Sequence, residues 1–387
     1  MKNIFLISWF QSENYGTCLQ AYATWLVLNK MGNKVIFLDK RRYYSIKQVK
    51  YLVKKIYAKI YGKVKHGLVM NYGVYKREHD EKMQKISRMV KKNYACQSIS
   101  SKKELEKIDS QVDCYLVGSD QMWNPSMLSP QYLLDFVPKN SVKPKYAYAA
   151  SFGVDNIPEN KKRIYKKYLP LFKQISVREP RAAELVKTLS GISTDVVLDP
   201  TFLLSQKEWR AFANESVTVK ERKLNNYILC YFIGSSEFYH MNSVKILAEL
   251  LGFQVVLLPM KEEDYLIQDP EIEIVGDACS YDFVSLIDHA KLVCTDSFHA
   301  VVFSFLLDTA FYDFPRFKSG DKNSQEARLQ NIMSIFRLEN SYWDSELSKE
   351  EIDQHLNTDY NVGYSILSEE REKCLKYLYN MIEGINR

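Results

Sequence analysis

Apolar positions along the chain fall into two series of short runs separated by stretches of helical periodicity. In the first series, residues 4–8, 35–38, 114–117, 146–150, 175–177 and 196–198 are apolar or β-branched runs of strand length. Helical spacing occupies residues 17–29, where Gly32 ends the pattern, and returns at 159–172 and 180–189. In the second series, runs at 227–232, 255–258, 292–294 and 310–312 alternate with helical stretches at 236–251, 281–290 and 298–307. This alternation predicts parallel sheets with helices on both faces. The expected fold class is therefore α/β, with two doubly wound, Rossmann-like domains. Pro200 stops the strand that closes on Asp199, and a polar stretch at 214–226 precedes the second series. The expected division is 1–205 and 206–364, with 365–387 forming a last helix that follows a break near Asn361 and Gly363 and returns to the first domain. No internal repeat or low-complexity segment is visible.

The interval from Lys40 to Lys92 breaks into the first series. It holds about 17 Lys and Arg against about three acids, so this stretch carries about +14 and the remainder about −8. Ile46, Val49, Val53, Ile56, Ile60 and Val64 recur at helical spacing, with lysines on the remaining turns. That pattern predicts a basic amphipathic helix within an insertion at about 40–92. Either its lysines form a solvated face on an ordinary packed helix, or they contact an anionic membrane surface or a lipid-linked phosphate. Nucleic acid is disfavoured as a partner, because the rest of the chain is acidic and no recognition module is present.

Composition narrows the classes further. With 387 residues, 46% hydrophobic, 13% aromatic and 26% charged, the chain is globular rather than disordered or collagen-like. The longest nearly apolar stretch, 300–307, is far short of the ~20 residues a membrane-crossing helix needs. Residues 1–10 read as a first strand rather than a signal peptide, since Gln11-Ser12-Glu13-Asn14 follow at once with no small-residue cleavage site. Seven cysteines stand singly, without a CxxC pair. They point to reduced thiols in a cytoplasmic protein, with neither a disulfide framework nor a zinc site.

In open parallel sheets, ligands bind beyond the carboxyl ends of the strands. Five loops there carry polar residues: Asn14-Tyr15-Gly16, the stretch from Gly118 through Asp120, Trp123 and Asn124 to Pro125, Ser151-Phe152-Gly153, Arg178, and Thr295-Asp296-Ser297-Phe298-His299. Asn14 to Gly16 reads either as a turn into a helix cap or as a backbone approach to an anion. Asp120 reads as a cap or as a cleft carboxylate, and Trp123 with Asn124 suits sugar recognition. Arg178 is either in an ion pair with its neighbours or a fork for phosphate or carboxylate. His299 reads either as a structural histidine or as a functional one, since it sits in the first turn of a helix directly after a strand, where backbone N–H groups and the dipole favour anions. Asp296 or Ser297 reads as the N-cap of that helix. The other five histidines lie away from strand ends. No HExxH, DxD or Walker lysine loop is present, and no metal site is expected.

Taken in order, Asn14-Tyr15-Gly16 with Leu19-Gln20-Ala21-Tyr22, the stretch Val117 to Pro125, Ala149 to Gly153, Ser176 to Glu179, Val197 to Thr201 and Thr295 to His299 resemble the polysaccharide pyruvyl transferases. The resemblance implies a fold similar to the two-domain GT-B glycosyltransferases. It implies transfer of the enolpyruvyl carbons of phosphoenolpyruvate onto two sugar hydroxyls as a cyclic ketal, with release of phosphate and no further cofactor. The acceptor it implies is a sugar in a surface polysaccharide (exopolysaccharide or capsule) or its lipid-linked oligosaccharide precursor. His299 would then be the general acid, with Asp120 orienting or deprotonating a sugar hydroxyl. The phosphoenolpyruvate side would comprise Arg178, Ser297, Phe298 and Arg316, and the acceptor side Asn14, Tyr15, Gly16, Trp123 and Asn124. Some family members carry an arginine where this chain has Ser297, which leaves Arg316, Lys318 or Arg328 to compensate. The basic insertion would serve peripheral docking at the inner membrane face. The rivals are a GT-B glycosyltransferase using a nucleotide sugar and a non-catalytic sugar-binding subunit.

Overall fold

The computed structural model describes residues 1–39, 71–99, 101–234, 240–316, 326–344 and 347–384. The basic helix expected over residues 46–64 lies outside them. Strands β1 (Asn3–Ile7), β2 (Lys34–Asp39), β3 (Ala95–Ser98), β4 (Cys114–Val117), β5 (Lys145–Ala150), β6 (Gln174–Val177) and β7 (Asp195–Val196) form one parallel sheet in the order β3-β2-β1-β4-β5-β6-β7. Strands β8 (Tyr227–Tyr231), β9 (Gln254–Leu257), β10 (Ile272–Ile274), β11 (Leu292–Thr295) and β12 (Phe311–Asp313) form a second, in the order β10-β9-β8-β11-β12. The central strands are buried on both faces, as in Cys114–Val117 and Tyr227–Tyr231, which is why they read as continuous apolar runs.

Chain order reverses between β1 and β4 in the first sheet and between β8 and β11 in the second. A crevice opens at each reversal, because the crossover helices leave on opposite faces there. The loops after β1, β4, β8 and β11 are thus the ones placed to build a site. Six helices position it or join the domains: α1 (Tyr15–Lys30), α2 (Asn71–Asn93), α3 (Pro180–Ser190), α4 (Phe298–Leu307), α5 (Glu326–Phe336) and α6 (Asn361–Glu383). One apolar core runs through both domains, carrying Tyr15 and Leu19 of α1 together with Tyr231, Phe283 and Phe303.

Helices α2 and α6 also cross between the domains. α2 leads into β3, yet its Asn93 amide donates to Tyr281 Oη at 2.9 Å and its Tyr75 ring meets Tyr265 edge-on. α6, about 35 Å long at 1.5 Å per residue, begins against the second domain. There Tyr364 stacks on Phe305 at 5.1 Å, and Arg371 Nε donates to Phe202 O further along. Its far end accepts from Lys2 Nζ at Ile382 O, and Gly384 just beyond accepts from Lys173 Nζ. The break expected near Asn361 and Gly363 is instead the start of α6: Asp359 accepts from the Asn361 N–H, and Gly363 lies inside the first turn. A Cβ on Gly363 would sit 2.8 Å from both Phe305 Cε2 and Phe336 O, so this glycine permits helix packing rather than ending a helix. Among the described residues no helix is long and apolar enough to cross a membrane.

Candidate active site between the two sheets

A cleft of about 660 Å³ lies between the carboxyl edges of the two sheets. Its wall takes Asn14 and Thr17 from the start of α1, Asp120 from the loop after β4, Ser297, Phe298 and His299 from the turn after β11, Arg316 beyond β12, and Arg328 from α5.

His299 occupies the first turn of α4 and is 7% exposed. Its Nε2 is buried, makes no hydrogen bond among the described residues, and lies 3.9 Å from Asp199 Oδ2. Burial pushes its pKa down, helped by Arg178 and Arg328, while the carboxylates of Asp199 and Asp120 pull upward; the net direction is below the ordinary histidine value, which favours the neutral imidazole. Gly16 explains the ring's orientation. A Cβ at position 16 would fall 2.1 Å from His299 Cγ, so the α1 backbone packs directly on the imidazole.

Behind the imidazole lies a buried charge network. Arg178 Nη1 donates to Asp199 Oδ2 at 2.6 Å and Nη2 to Asp120 Oδ1 at 3.4 Å. Asp199 also accepts from Ser119 Oγ, the Thr201 N–H and Thr201 Oγ1. Asp120 Oδ2 accepts from Thr17 Oγ1 at 2.7 Å. Burial alone would raise the pKa of each aspartate, but Arg178 and the neighbouring donors outweigh it, and both are held below the usual carboxylate value. Asp120 adopts φ +72°, a left-handed conformation that aspartate tolerates better than most residues, while its backbone bridges to Ala150.

Phe298, half-buried at the start of α4, has two guanidinium groups over its ring: Arg178 at 5.1 Å and Arg328 at 5.9 Å from the centroid. Arg328 is partly buried on the cleft wall, and desolvation together with Arg178 lowers its pKa to about 10. Ser297 precedes α4 without a side-chain cap, so its hydroxyl is not used on the helix. Asp296 instead accepts from the Ile233 and Gly234 N–H groups and ties the loop after β8 to the loop after β11. Among the described residues, no group of three or more His, Cys, Asp or Glu is disposed to hold a metal ion.

The expected site residues therefore divide. His299, Asp120, Ser297, Phe298, Arg316 and Asn14 do line the cleft. Asn14 does so while accepting from the Thr17 N–H as the α1 cap. Arg178 does not line this cleft: its Nη1 and Nη2 are engaged by Asp199 and Asp120, and it lines a smaller cavity with Phe298 and Arg328. Tyr15 and Trp123 were expected to face the acceptor; the structure places both in the core. Tyr15 stacks on Phe283 at 4.9 Å with Lys82 Nζ over its ring. Trp123 packs on Phe152 and Phe172, with Nε1 donating to Tyr132 O. Asn124 spends its amide on Gln121 and accepts from the Ser126 N–H within its own turn. Gly16 backs His299 and does not line the cleft. Lys318 lies outside the described residues. Sequence reasoning missed Asp199, which ends a strand-like run at 196–198, and the cleft aromatics Trp9 and Trp343, of which Trp9 directly follows the first strand.

Two parallel α/β sheets facing each other across a cleft at their switch points define a GT-B-like architecture. Similar folds are found in a UDP-GlcNAc 2-epimerase from Methanocaldococcus jannaschii (TM-score 0.54, 10% identity, 93% of each chain covered) and in a putative UDP-N-acetylglucosamine 2-epimerase from Listeria monocytogenes (TM-score 0.54, 10% identity, 100% and 97% covered). The wall teichoic acid polymerase TagF is also similar (TM-score 0.50, 9% identity, 100% of this chain and 89% of that one). At such identities the likeness is one of fold alone. The sequence model of the polysaccharide pyruvyl transferases matches residues 14–312, from the cap of α1 into β12, and the chain belongs to that family of transferases. No curated protein matches it in sequence.

Proposed function

We propose that the protein transfers the enolpyruvyl carbons of phosphoenolpyruvate to two hydroxyls of a sugar in a surface polysaccharide or its lipid-linked precursor. The observation that carries this reading is the His299 imidazole: buried at a helix start on the cleft wall, without a hydrogen bond at Nε2, and backed by Asp199 and Asp120. In the first half-reaction a sugar hydroxyl bonds to C2 while C3 gains a proton, so the proton lost by the hydroxyl equals the one gained by the methylene. The C2–O bond to phosphate then breaks, its electron pair leaving with phosphate. The second hydroxyl closes the ketal on C2 and its proton goes to the departing phosphate.

A neutral histidine that becomes cationic when an anion binds nearby suits this exchange. The donor's phosphate and carboxylate add negative charge beside the imidazole and raise its proton affinity, which prepares it to deliver a proton to C3. Arg328 and the N–H groups at the start of α4 supply the anion contacts, with Arg316 further along the same wall. Arg178 acts at one remove, holding Asp120 and Asp199 ionised and in place. Asp120, whose oxygens are held by Thr17 and Arg178, orients the attacking hydroxyl through a remaining lone pair on one of them.

Thermal unfolding tests the donor. A ligand at about 100 times its dissociation constant adds roughly 2.7 kcal/mol of stability. The expected result is a shift with phosphoenolpyruvate that Arg328→Ala abolishes. A shift only with a UDP-, GDP- or CMP-sugar would overturn the reading in favour of a glycosyltransferase. Peripheral membrane docking through the basic segment at 40–92 is a separate part of the proposal, prompted by its charge. Flotation with anionic vesicles at low and high salt tests it, and failure to float at low salt removes it.

A further inference from the structure

The cleft holds a feature that proton transfer and anion binding do not use. Two partly buried indoles line the cleft, one from each domain. Trp9 stands two residues past β1, half-buried, with its ring edge-on to Tyr132 at 5.6 Å. Trp343 lies beyond β12, its ring stacked on Phe314 at 5.0 Å and 22° and edge-on to Tyr312 at 5.2 Å. Its backbone is pinned as well: the Trp343 N–H donates to Asp313 O, and Tyr342 pairs with Asp313 in a parallel bridge. Both indoles are therefore held by other rings while remaining partly open to the cleft.

A half-open indole fixed by aromatic neighbours presents a rigid apolar face at little entropic cost on binding. The C–H face of a pyranose is the natural complement to such a surface when polar groups stand beside it, and Ser12, Gln121 and Gln330 share this cleft. The volume of about 660 Å³ lies mid-range for sites that enclose drug-sized ligands, about 300–1,000 Å³, and well exceeds what a three-carbon phosphate occupies. With one indole from each domain on a cleft of this volume, two linked rings can rest one on each platform.

We infer that Trp9 and Trp343 form a two-sided clamp for an acceptor of at least two sugar rings. This rests on the pyruvyl-transfer reading for the chemistry but not for the binding, so the two fail separately. The test titrates the full chain with cellobiose, lactose and N,N′-diacetylchitobiose, each beside its constituent monosaccharides, following tryptophan fluorescence and saturation-transfer NMR. At least one disaccharide is expected to bind tenfold or more tighter than its monosaccharides. Trp9→Ala and Trp343→Ala should each remove that advantage, while Trp343→Phe keeps most of it. In each variant the thermal shift given by phosphoenolpyruvate should persist, which shows a folded donor side; its absence from the wild-type protein would instead count against the donor reading. Equal affinity for one and two rings, disaccharide binding indifferent to both Ala substitutions, or no binding across the panel overturns the clamp. Since Trp343 packs on the second-domain core, Trp343→Leu serves as the folded control should the Ala variant unfold, with the same loss expected.

Discussion

On the first-domain side of the cleft, Asp120, Arg178 and Asp199 form a network buried to within a few per cent, in which Asp199 alone accepts four hydrogen bonds. On the second-domain side, His299 keeps an unbonded Nε2, Ser297 leaves its helix uncapped, and Arg328 stands on the wall of the open space. The charges of one wall are bound to one another, and the other presents an imidazole nitrogen and a serine hydroxyl to the cleft. A buried ion pair contributes little net stability but penalises the loss of either partner, whereas a neutral imidazole replaced by an amide of similar size strands no charge. Substitution on the two sides should thus separate stability from chemistry.

The sharpest contrast comes from removing the central group of each wall. Arg178→Ala leaves two buried carboxylates without their cation and should cost about 3–5 kcal/mol, seen as a large fall in the unfolding midpoint. His299→Gln, which keeps most of the buried side-chain volume, should lower that midpoint far less and lower kcat by roughly 10²–10⁴-fold. If instead Arg178→Ala stays stable and loses only phosphoenolpyruvate affinity, the division between the walls collapses and Arg178 is a donor ligand after all.

These assignments bear on what could be read from the chain alone. Positions at strand ends were legible, because short apolar runs mark where a parallel sheet stops and polar residues begin; that places Asp120, Ser297 and His299 on the cleft. Partners were not. Whether Arg178 faces solvent or its own protein depends on Asp199, 21 residues away on the far side of α3. Trp123 and Trp9 both follow central strands, and nothing local says that the first turns into the core under Tyr165 while the second turns outward. Strands β3 and β10 escaped notice for a related reason. They are edge strands, and Ala95–Ser98 is mostly exposed, so neither presents the continuous apolar run that identifies a central parallel strand.

Gly16 lies on α1 behind the cleft and touches His299 of the opposite wall, so it tests how far the walls are independent. Gly16→Ala places a methyl 2.1 Å from His299 Cγ, and the ring must move. A displacement near 1 Å at a reacting group lowers turnover by about 10²-fold. The fall should appear in kcat with phosphoenolpyruvate binding largely kept, and the double variant Gly16→Ala/His299→Ala should be no slower than His299→Ala. Additive losses would show that Gly16 acts on something other than the imidazole.

The smallest expected effect is also the most direct reading of the imidazole's charge. Its pKa in the unliganded protein is held below the ordinary 6.5, chiefly by burial. A folded-state value below the unfolded one means that the neutral form is favoured by folding. Its contribution to stability is complete above about 6.5 and is lost as pH falls through that value toward the folded pKa. Binding of an anionic donor works against burial and raises the value, so binding takes up a proton. Between the free and bound pKa values, the dissociation constant for phosphoenolpyruvate should therefore rise with pH, approaching tenfold per unit, and calorimetry in buffers of different ionisation enthalpy should register the proton. In His299→Gln that slope should shrink to whatever the ligand's own phosphate titration leaves. An unchanged slope in the variant would mean that the proton is taken up elsewhere, and that the imidazole on the open wall is not the group that answers the donor's charge.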